Sequence, residues 1–238
     1  MADDLIAQSE PFFDWLAKWH DGLTQPALSE LLDQAGGPGR AAVFCEDLVN
    51  GFCHEGPLSG PRVKAIIAPI VELFQRAHQA GIRDFVLPQD SHPPDSPEFA
   101  SYGPHCVTGS KEAETVPELL NLPFASLFRV IPKRSLNPGL EPELEAWLKK
   151  HPSLSLAIVV GDCTDLCDYQ LAMHLKLRAN HLVRSLRVLV PADCVDTYDL
   201  PVETAKKIGA LPHPAELLHR LFLYHLRLNG VEVVRSIA

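Results

Sequence analysis

The sequence predicts a three-layer α/β/α fold, in which a six-stranded parallel sheet lies between helices and a helical extension precedes it. Three observations support this prediction. From residue 40 onward, short runs of Val, Ile and Leu alternate with longer amphipathic stretches. These runs are continuously apolar, as expected for strands buried on both faces of a parallel sheet. The breaker Gly36-Gly37-Pro38-Gly39 separates them from a helical N-terminal segment.

We divide the chain into an N-terminal helical extension, residues 1–39, and a main domain, residues 40–238. Apolar residues recur in the extension at helical spacing, at Phe12, Phe13, Leu16 and Trp19 and again at Leu28, Leu31 and Leu32. Two roles remain open for the extension. It either caps the main domain or forms a contact between subunits, and we expect a homo-oligomer.

The elements of the main domain follow from the same alternation. Strands are predicted at residues 41–45, 84–87, 127–131, 156–160, 187–190 and 231–234. Helices are predicted at residues 61–80, 140–151, 166–179, 202–208 and 215–228. Residues 88–126 show little periodicity and are rich in Pro, Ser and His. A long irregular excursion of this kind inside a compact domain is usually functional.

Charge and composition exclude several classes of partner. The net charge is -9 and no Lys/Arg cluster offsets it locally, so nucleic-acid binding is not expected. No apolar run approaches the roughly 20 residues that span a bilayer, so no membrane partner is expected. The acidic N-terminus does not resemble a signal segment, which favours a cytoplasmic protein. The 6 cysteines are then expected to be free thiols.

Ionisable residues cluster directly after the predicted strands. Asp47 follows the first strand, Asp90 and His92 the second, Lys133 the third, and residues 163–167 the fourth. Ligands of open parallel sheets bind beyond the carboxyl ends of the strands. All four segments are therefore expected to face one crevice.

Cys167 is the candidate nucleophile of this crevice. The segment GDCTDLC, residues 161–167, follows an apolar strand and opens a helix. Exposed N–H groups at a helix N-terminus stabilise a thiolate and lower its pKa, and they can also hold the oxyanion of a tetrahedral intermediate. The alternative is that Cys167 is simply a small buried hydrophobic residue.

Asp47 and Lys133 are the candidate partners of Cys167, because no histidine follows a strand in a comparable position. The charge of Lys133 lowers the pKa of both neighbours, and the carboxylate of Asp47 can take the thiol proton and return it to a leaving amine. The alternative is that both are ordinary surface residues.

The loop after the second strand carries a candidate metal site. Two carboxylates and two imidazoles, Asp90, His92, Glu98 and His105, suit a divalent ion such as Zn²⁺, Fe²⁺ or Mn²⁺. Asp90 and His92 can aim at one centre because alternate residues of an extended strand point the same way. A polar loop with incidental histidines is the alternative, and a thiolate zinc site at Cys106, Cys163 and Cys167 is a weaker one. Neither a GxGxxG motif nor a P-loop is present.

Four segments, in order, resemble the isochorismatase-like cysteine hydrolases and within them the nicotinamidases. They are FCEDLVNGFC (44–53), QDSHPPD (89–95) with YGPHCV (102–107), PK (132–133) with NP (137–138), and GDCTDLC (161–167). The resemblance covers residues 41–234 and leaves the N-terminal extension outside. It implies the same six-stranded parallel sheet flanked by helices.

The resemblance also implies roles for the site residues. Cys167 would be the nucleophile, Asp47 the general base and then acid, and Lys133 the charge that supports both. A cis peptide would precede Cys163, and the N–H groups of Cys163 and Cys167 would form the oxyanion hole. Phe52 and Tyr102 would flank a planar substrate ring. The metal ligands implied by the resemblance are Asp90, His92 and His105, with Glu98 as a fourth.

The implied reaction converts nicotinamide to nicotinate and ammonia through a cysteine thioester, as a step of NAD salvage. One divalent metal ion is the implied cofactor, with Zn²⁺ ahead of Fe²⁺ and Mn²⁺, and a small amide is the implied partner. Three alternatives remain open. They are a relative that acts on another small amide, ureide or vinyl ether, a non-catalytic binding protein, and a redox protein that uses Cys163 and Cys167.

Overall fold

The computed structural model describes residues 2–238, with side chains from residue 4 onward. Its strands are β1 (Ala41–Glu46), β2 (Asp84–Asp90), β3 (Phe128–Lys133), β4 (Leu156–Asp162), β5 (Arg187–Pro191), β6 (Val195–Asp196) and β7 (Glu232–Val234). Six of them form one sheet in the order β3-β2-β1-β4-β5-β7, and β6 pairs with β4 off this path. All of these pairings are parallel.

The helices surround this sheet. They are α1 (Ala2–Asp21), α2 (Leu28–Ala35), α3 (Asn50–Cys53), α4 (Pro61–Ala65), α5 (Ile67–Gln79), α6 (Phe99–Tyr102), α7 (Pro117–Leu120), α8 (Pro142–Lys150), α9 (Cys167–His181), α10 (Val202–Ile208) and α11 (Ala215–Leu228). Within residues 2–238, no helix combines the length and the apolar character needed to cross a bilayer.

The predicted parallel α/β fold is confirmed. All six predicted strands are present, and the seventh, β6, is only two residues long, too short to show as an apolar run. The single helix predicted at residues 61–80 is divided into α4 and α5, with the boundary at Ile66. β3 is an edge strand with several exposed residues, and this position allows it to contain Pro132.

The strand order places the two most buried strands side by side. β1 and β4 pair over their whole length, from Ala41 with Leu156 to Glu46 with Gly161, and both are buried throughout. The chain runs from β1 outward to β3 and then returns to the other side of β1 with β4. The order of the strands therefore reverses between β1 and β4, and ligands of open α/β sheets bind at such a point.

Two apolar layers hold the helices on the sheet. On one face, α2 and α5 pack against alternate residues of the central strands, such as Val43 and Ile158. On the other face, α8, α9 and α11 pack against the intervening residues, such as Phe44 and Val159. Because alternate residues of a strand point to opposite faces, each apolar run supplies both layers.

The N-terminal residues form two helices, as the sequence predicts. α1 extends further than expected and contains Pro11. Three aromatic residues of α1, Phe12, Trp15 and Trp19, pack against the ring of Tyr224 on α11, with ring centroids 5.3–6.0 Å apart. The division of the chain at residue 39 stays a prediction.

Candidate active site

The predicted site residues meet at the carboxyl end of the sheet. Asp90 and Lys133 are register partners at the ends of β2 and β3. Asp47 follows β1 with a φ of 50°, a left-handed conformation that aspartate tolerates better than most residues. Cys167 is the first residue of α9, beyond the end of β4. The structure therefore brings together the four segments that the sequence places after strands.

Lys133 is the centre of a buried ionic cluster. Its Nζ lies 2.7 Å from Asp47 Oδ2, 2.5 Å from Asp90 Oδ1 and 3.5 Å from Cys167 Sγ. A fully buried ammonium group persists only when it is paired with anions and hydrogen-bonded. Burial lowers the pKa of Lys133, but the carboxylates of Asp47 and Asp90 outweigh burial and hold the pKa well above its ordinary value. Lys133 is therefore a permanent positive charge beside the Cys167 sulfur.

The carboxylate of Asp47 is oriented on both sides. Its Oδ1 accepts a hydrogen bond of 2.7 Å from the backbone N–H of Asp90, and its Oδ2 forms the ion pair with Lys133. Burial, and then the charge of Asp90, raise the pKa of Asp47 to about 6, while Lys133 limits the rise. An Asp47 with this pKa can exchange a proton near neutral pH, as general acid–base chemistry requires.

The thiol of Cys167 is enclosed, with 5% of the residue exposed. The expectation that a helix N-terminus lowers its pKa is wrong here, because burial raises the pKa of Cys167 well above its ordinary value and Lys133 offsets only part of that effect. The resting cysteine is therefore protonated. A base must remove the proton when the thiolate forms.

The turn that leads into Cys167 has a specific backbone shape. The peptide bond between Asp162 and Cys163 is cis, as the resemblance implies. Gly161, with a φ of 126°, lies so close to β1 that a Cβ atom would collide with the carbonyl oxygen of Glu46. In the described part of the chain, no turn or loop hydrogen bond uses the N–H of Cys163 or Cys167. These two N–H groups are the predicted oxyanion hole.

The four predicted metal ligands form one cluster. Their ligand atoms all lie within 4.8 Å of one another. Asp90 Oδ2 is 3.3 Å from His92 Nε2 and 3.5 Å from His105 Nε2, and Glu98 Oε1 is 3.9 Å from His92 Nε2. Two imidazoles and two carboxylates are a donor set typical of divalent metals.

Unpartnered buried atoms show that this cluster fits a metal ion. His92 is fully buried, yet neither of its ring nitrogens has a hydrogen-bond partner in the described residues. The Oε1 atom of Glu98 also lacks a hydrogen-bond partner there. Burial of such groups without a partner is costly. His105 Nδ1 lies 2.8 Å from the carbonyl oxygen of Gly103, which fixes the ring with Nε2 toward Asp90, as is common for metal-binding histidines.

A second group of possible ligand atoms does not favour a metal. Glu46, Asp47 and Cys167 also place ligand atoms within 4.8 Å of one another. However, the Nζ of Lys133 lies 3.5 Å from both Glu46 Oε1 and Cys167 Sγ and already neutralises this group. The ammonium group thus occupies the position that a cation would take.

Aromatic rings surround the metal cluster. Phe52 and Tyr102, which the resemblance assigns to the substrate pocket, have ring centroids 5.8 Å and 6.3 Å from that of His105. Phe99 also lies here, 5.6 Å from both His92 and His105, although it was not predicted as a site residue. Its position in the irregular segment 88–126 gave no signal of this contact.

Three buried carboxyl groups near the site were missed as site residues. Glu46, Asp162 and Asp168 are at most 1% exposed, and each has carboxyl oxygens without a hydrogen-bond partner in the described residues. Burial raises the pKa of each well above its ordinary value, which favours the protonated form of all three groups. Their positions at the ends of apolar strands and at the start of α9 are visible in the sequence, but their burial is not.

We expect the substitution Asp168→Asn to stabilise the protein at alkaline pH. Unfolded aspartate ionises near pH 4, whereas burial raises the pKa of Asp168 in the folded state. Above pH 4 the unfolded state therefore binds fewer protons than the folded state, and stability falls as the pH rises. Asparagine has the same shape and removes this dependence. Thermal melts should show a higher midpoint than the wild type at pH 8 and a smaller difference at pH 4. The control is Asp33→Asn at an exposed site, and an equal or lower midpoint for Asp168→Asn at pH 8 would contradict the assignment.

The comparisons with known proteins agree with this geometry. The isochorismatase domain model matches residues 41–234. Nicotinamidase 1 from Arabidopsis thaliana is 33% identical over 208 residues, which cover 81% of this chain and 84% of the relative.

Solved structures share the fold at lower identity. The cysteine hydrolase from Pseudomonas syringae has a TM-score of 0.67 and 19% identity, and covers 83% of this chain and 89% of its own. Nicotinamidase PncA from Bacillus subtilis has a TM-score of 0.63 and 23% identity, and the match covers 82% of this chain and 99% of that structure. N-carbamoylsarcosine amidase from Thermoplasma acidophilum has a TM-score of 0.60 and 23% identity, and the match covers 83% of this chain and 96% of that structure.

Cys167 is buried at the start of a helix, beyond the end of a parallel sheet. This position and the relatives identify the protein as a cysteine-dependent amidohydrolase. The chain belongs to the isochorismatase family. The resemblance drawn from the four motifs is thereby confirmed.

Proposed function

We propose that the protein hydrolyses nicotinamide to nicotinate and ammonia, with Cys167, Asp47 and Lys133 as its catalytic residues. The position of Asp90 carries this proposal. One carboxylate oxygen of Asp90 contacts Lys133 and the other faces His92 and His105. The cluster that suits a metal therefore adjoins the cysteine, and a small planar amide can reach both.

The metal cluster would orient the substrate. Asp90, His92, Glu98 and His105 would hold one divalent ion, which would supply Lewis acidity toward the pyridine nitrogen of the ring. Phe52 and Tyr102 would pack against the ring, and their positions beside His105 support this role. Zn²⁺ is the first choice for an imidazole and carboxylate set, and Fe²⁺ and Mn²⁺ are alternatives.

In the first half of the reaction, Asp47 takes the proton of the Cys167 thiol. Lys133, 3.5 Å from the sulfur, stabilises the thiolate that results. The sulfur attacks the carboxamide carbon, and the N–H groups of Cys163 and Cys167 stabilise the oxyanion. Asp47 then gives its proton to the leaving nitrogen, so that ammonia departs and a thioester to Cys167 remains.

In the second half, Asp47 takes a proton from a water molecule that attacks the thioester carbon. The same two N–H groups stabilise the second oxyanion. When this intermediate collapses, the C–S bond breaks, and the proton from Asp47 restores the Cys167 thiol. The carboxyl group of the product loses the second proton of the water molecule to solvent, and nicotinate leaves. Asp47 and Cys167 return to their starting protonation states.

A comparison of amides tests the substrate. Benzamide has the same carboxamide as nicotinamide but lacks the ring nitrogen, and a small ureide represents the alternative substrates. We expect a kcat/KM for nicotinamide at least about tenfold above that for benzamide, equivalent to about 1.4 kcal/mol of transition-state stabilisation. A kcat/KM for the ureide above that for nicotinamide would move the protein to another substrate class within the family.

Metal analysis tests the ligand set. We expect His92→Ala and His105→Ala to lose most of the divalent metal that the purified wild type retains, because each removes one imidazole from a four-residue set. The control is His54→Ala, since His54 lies outside the cluster and pairs with Glu118 at 3.1 Å. Metal content equal to that of the wild type in both ligand variants would remove them from the set.

A cytoplasmic location, a homo-oligomeric state and a role in NAD salvage stay predictions from the sequence. Cell fractionation tests the first of these. Sedimentation of the purified protein tests the second.

A further inference from the structure

Residues 161–167 form the nucleophile turn. The segment that follows β6 returns to this turn. Residues 198–213 leave β6, contain α10, and close on themselves through an antiparallel bridge in which Leu200 and His213 exchange two N–H···O bonds of 2.8 Å. β6 itself pairs with Gly161 and Asp162. Residue 198 therefore begins beside the nucleophile turn, and residue 213 returns to it.

His213 fastens this segment to the nucleophile turn. Its Nε2 lies 2.8 Å from Asp165 Oδ2, and Asp165 stands between Cys163 and Cys167. Its Nδ1 lies 2.8 Å from the carbonyl oxygen of Tyr198. Both ring nitrogens thus face acceptors, so both donate when the imidazole is protonated, and the pair with the Asp165 carboxylate is then charge-assisted.

Tyr198 is held between His213 and the nucleophile turn. Its ring stacks on that of His213, with centroids 3.8 Å apart and planes 17° from parallel. Its backbone follows β6, which pairs with the start of the nucleophile turn. Its half-buried phenol lies close enough to Tyr102 and Cys163 for their charges to affect its pKa, which burial raises to about 12.

The residues that enclose the Cys167 thiol control substrate access. Cys167 is only 5% exposed. A substrate that reaches the sulfur must therefore pass the side chains that enclose the nucleophile turn.

We propose that Tyr198 is a specificity-determining wall of the amide pocket, and that the His213–Asp165 pair positions its ring. This inference deepens the proposed function and rests on it for the identity of the amide. Tyr198 limits the width of the pocket beside Cys163. His213 and Asp165 act through Tyr198 and are positioning residues.

Steady-state kinetics with nicotinamide give the first test. We expect Tyr198→Ala to raise KM about tenfold, with most of the loss in kcat/KM arising from KM, because the ring contacts substrate but takes no part in proton transfer. His213→Ala should raise KM in the same direction, and the double variant should be no worse than Tyr198→Ala alone, since both act through one ring. Tyr198→Phe should restore most of the affinity lost in Tyr198→Ala.

Alkylation of Cys167 by iodoacetamide gives a second test that does not depend on the substrate. We expect Tyr198→Ala to raise the labelling rate of Cys167 at least about threefold by removing a steric barrier, with the rate followed by peptide mass spectrometry. The control is Tyr224→Ala, a half-buried tyrosine that packs on α1, which should leave the rate unchanged.

The two tests separate this inference from the proposed function. In one outcome, the wild type releases no ammonia from nicotinamide, but Tyr198→Ala accelerates Cys167 labelling. This would support the role of Tyr198 as a pocket wall and exclude nicotinamide as the substrate. In the other outcome, the wild type hydrolyses nicotinamide, but Tyr198→Ala changes neither KM nor the labelling rate. This would overturn the role of Tyr198 as a pocket wall and leave the proposed function intact.

Discussion

The substitution Cys167→Ala is expected to abolish amide hydrolysis, with a loss of about 10³-fold or more in kcat, because it removes the sulfur that forms the acyl intermediate. Cys167 makes no contact on which the metal cluster depends, so bound metal should equal that of the wild type. Ammonia release and elemental analysis of the same preparation measure both quantities.

The control for this substitution is Cys194→Ala. Cys194 is also a buried cysteine, but it lies after β5 and outside the candidate site. The substitution Cys194→Ala should lower the free energy of unfolding through lost packing and leave kcat close to that of the wild type. Turnover by Cys167→Ala above a few per cent of the wild-type rate would remove Cys167 as the nucleophile.

The substitution Lys133→Met should have an equally large effect on activity and a larger effect on stability. Methionine has a similar length but no charge, so Asp47 and Asp90 would remain buried without their common cation. Breaking a buried ion pair by removing one partner costs about 3–5 kcal/mol. Activity should fall about 10³-fold or more, because the thiolate loses its stabilising charge and Asp47 loses its orientation.

Denaturant unfolding and ammonia release measure these two effects. Lys150→Met is the matched control, since Lys150 is an exposed lysine on α8, and it should change stability by less than about 0.5 kcal/mol. A folded Lys133→Met protein with wild-type stability and turnover would show that the buried cluster is not the centre of the site.

The strands of the main domain could be predicted because they are buried on both faces. Continuous apolar runs such as those within Ala41–Glu46 and Leu156–Asp162 are typical of the central strands of a parallel sheet. β6 could not be predicted, because two residues carry no periodic signal. The break between α4 and α5 was also missed, since the residues around Ile66 keep an apolar pattern across it.

The candidate site could be predicted where function follows directly after a strand. Asp47, Asp90 and Lys133 are each fixed in space by the strand that carries or precedes them, so the parallel sheet alone brings them together. Tyr198 and His213 could not be found in this way. They reach the nucleophile turn through an excursion whose return depends on one bridge between Leu200 and His213.

The charge state of Cys167 could not be predicted from sequence. The N-terminal position of the cysteine on α9 was predicted correctly and indicated a lowered pKa. The enclosure of the thiol depends on side chains from several distant segments, and burial reverses the direction of the shift. Glu46 and Asp168 are a similar case, because only the fold shows that their carboxyl groups lie away from solvent.

The most direct test of the account is the release of ammonia and nicotinate from nicotinamide by the purified, metal-loaded protein. We predict that both products appear in equal amounts and that neither appears with Cys167→Ala. A folded protein that binds divalent metal but releases no ammonia from nicotinamide would contradict the proposed reaction.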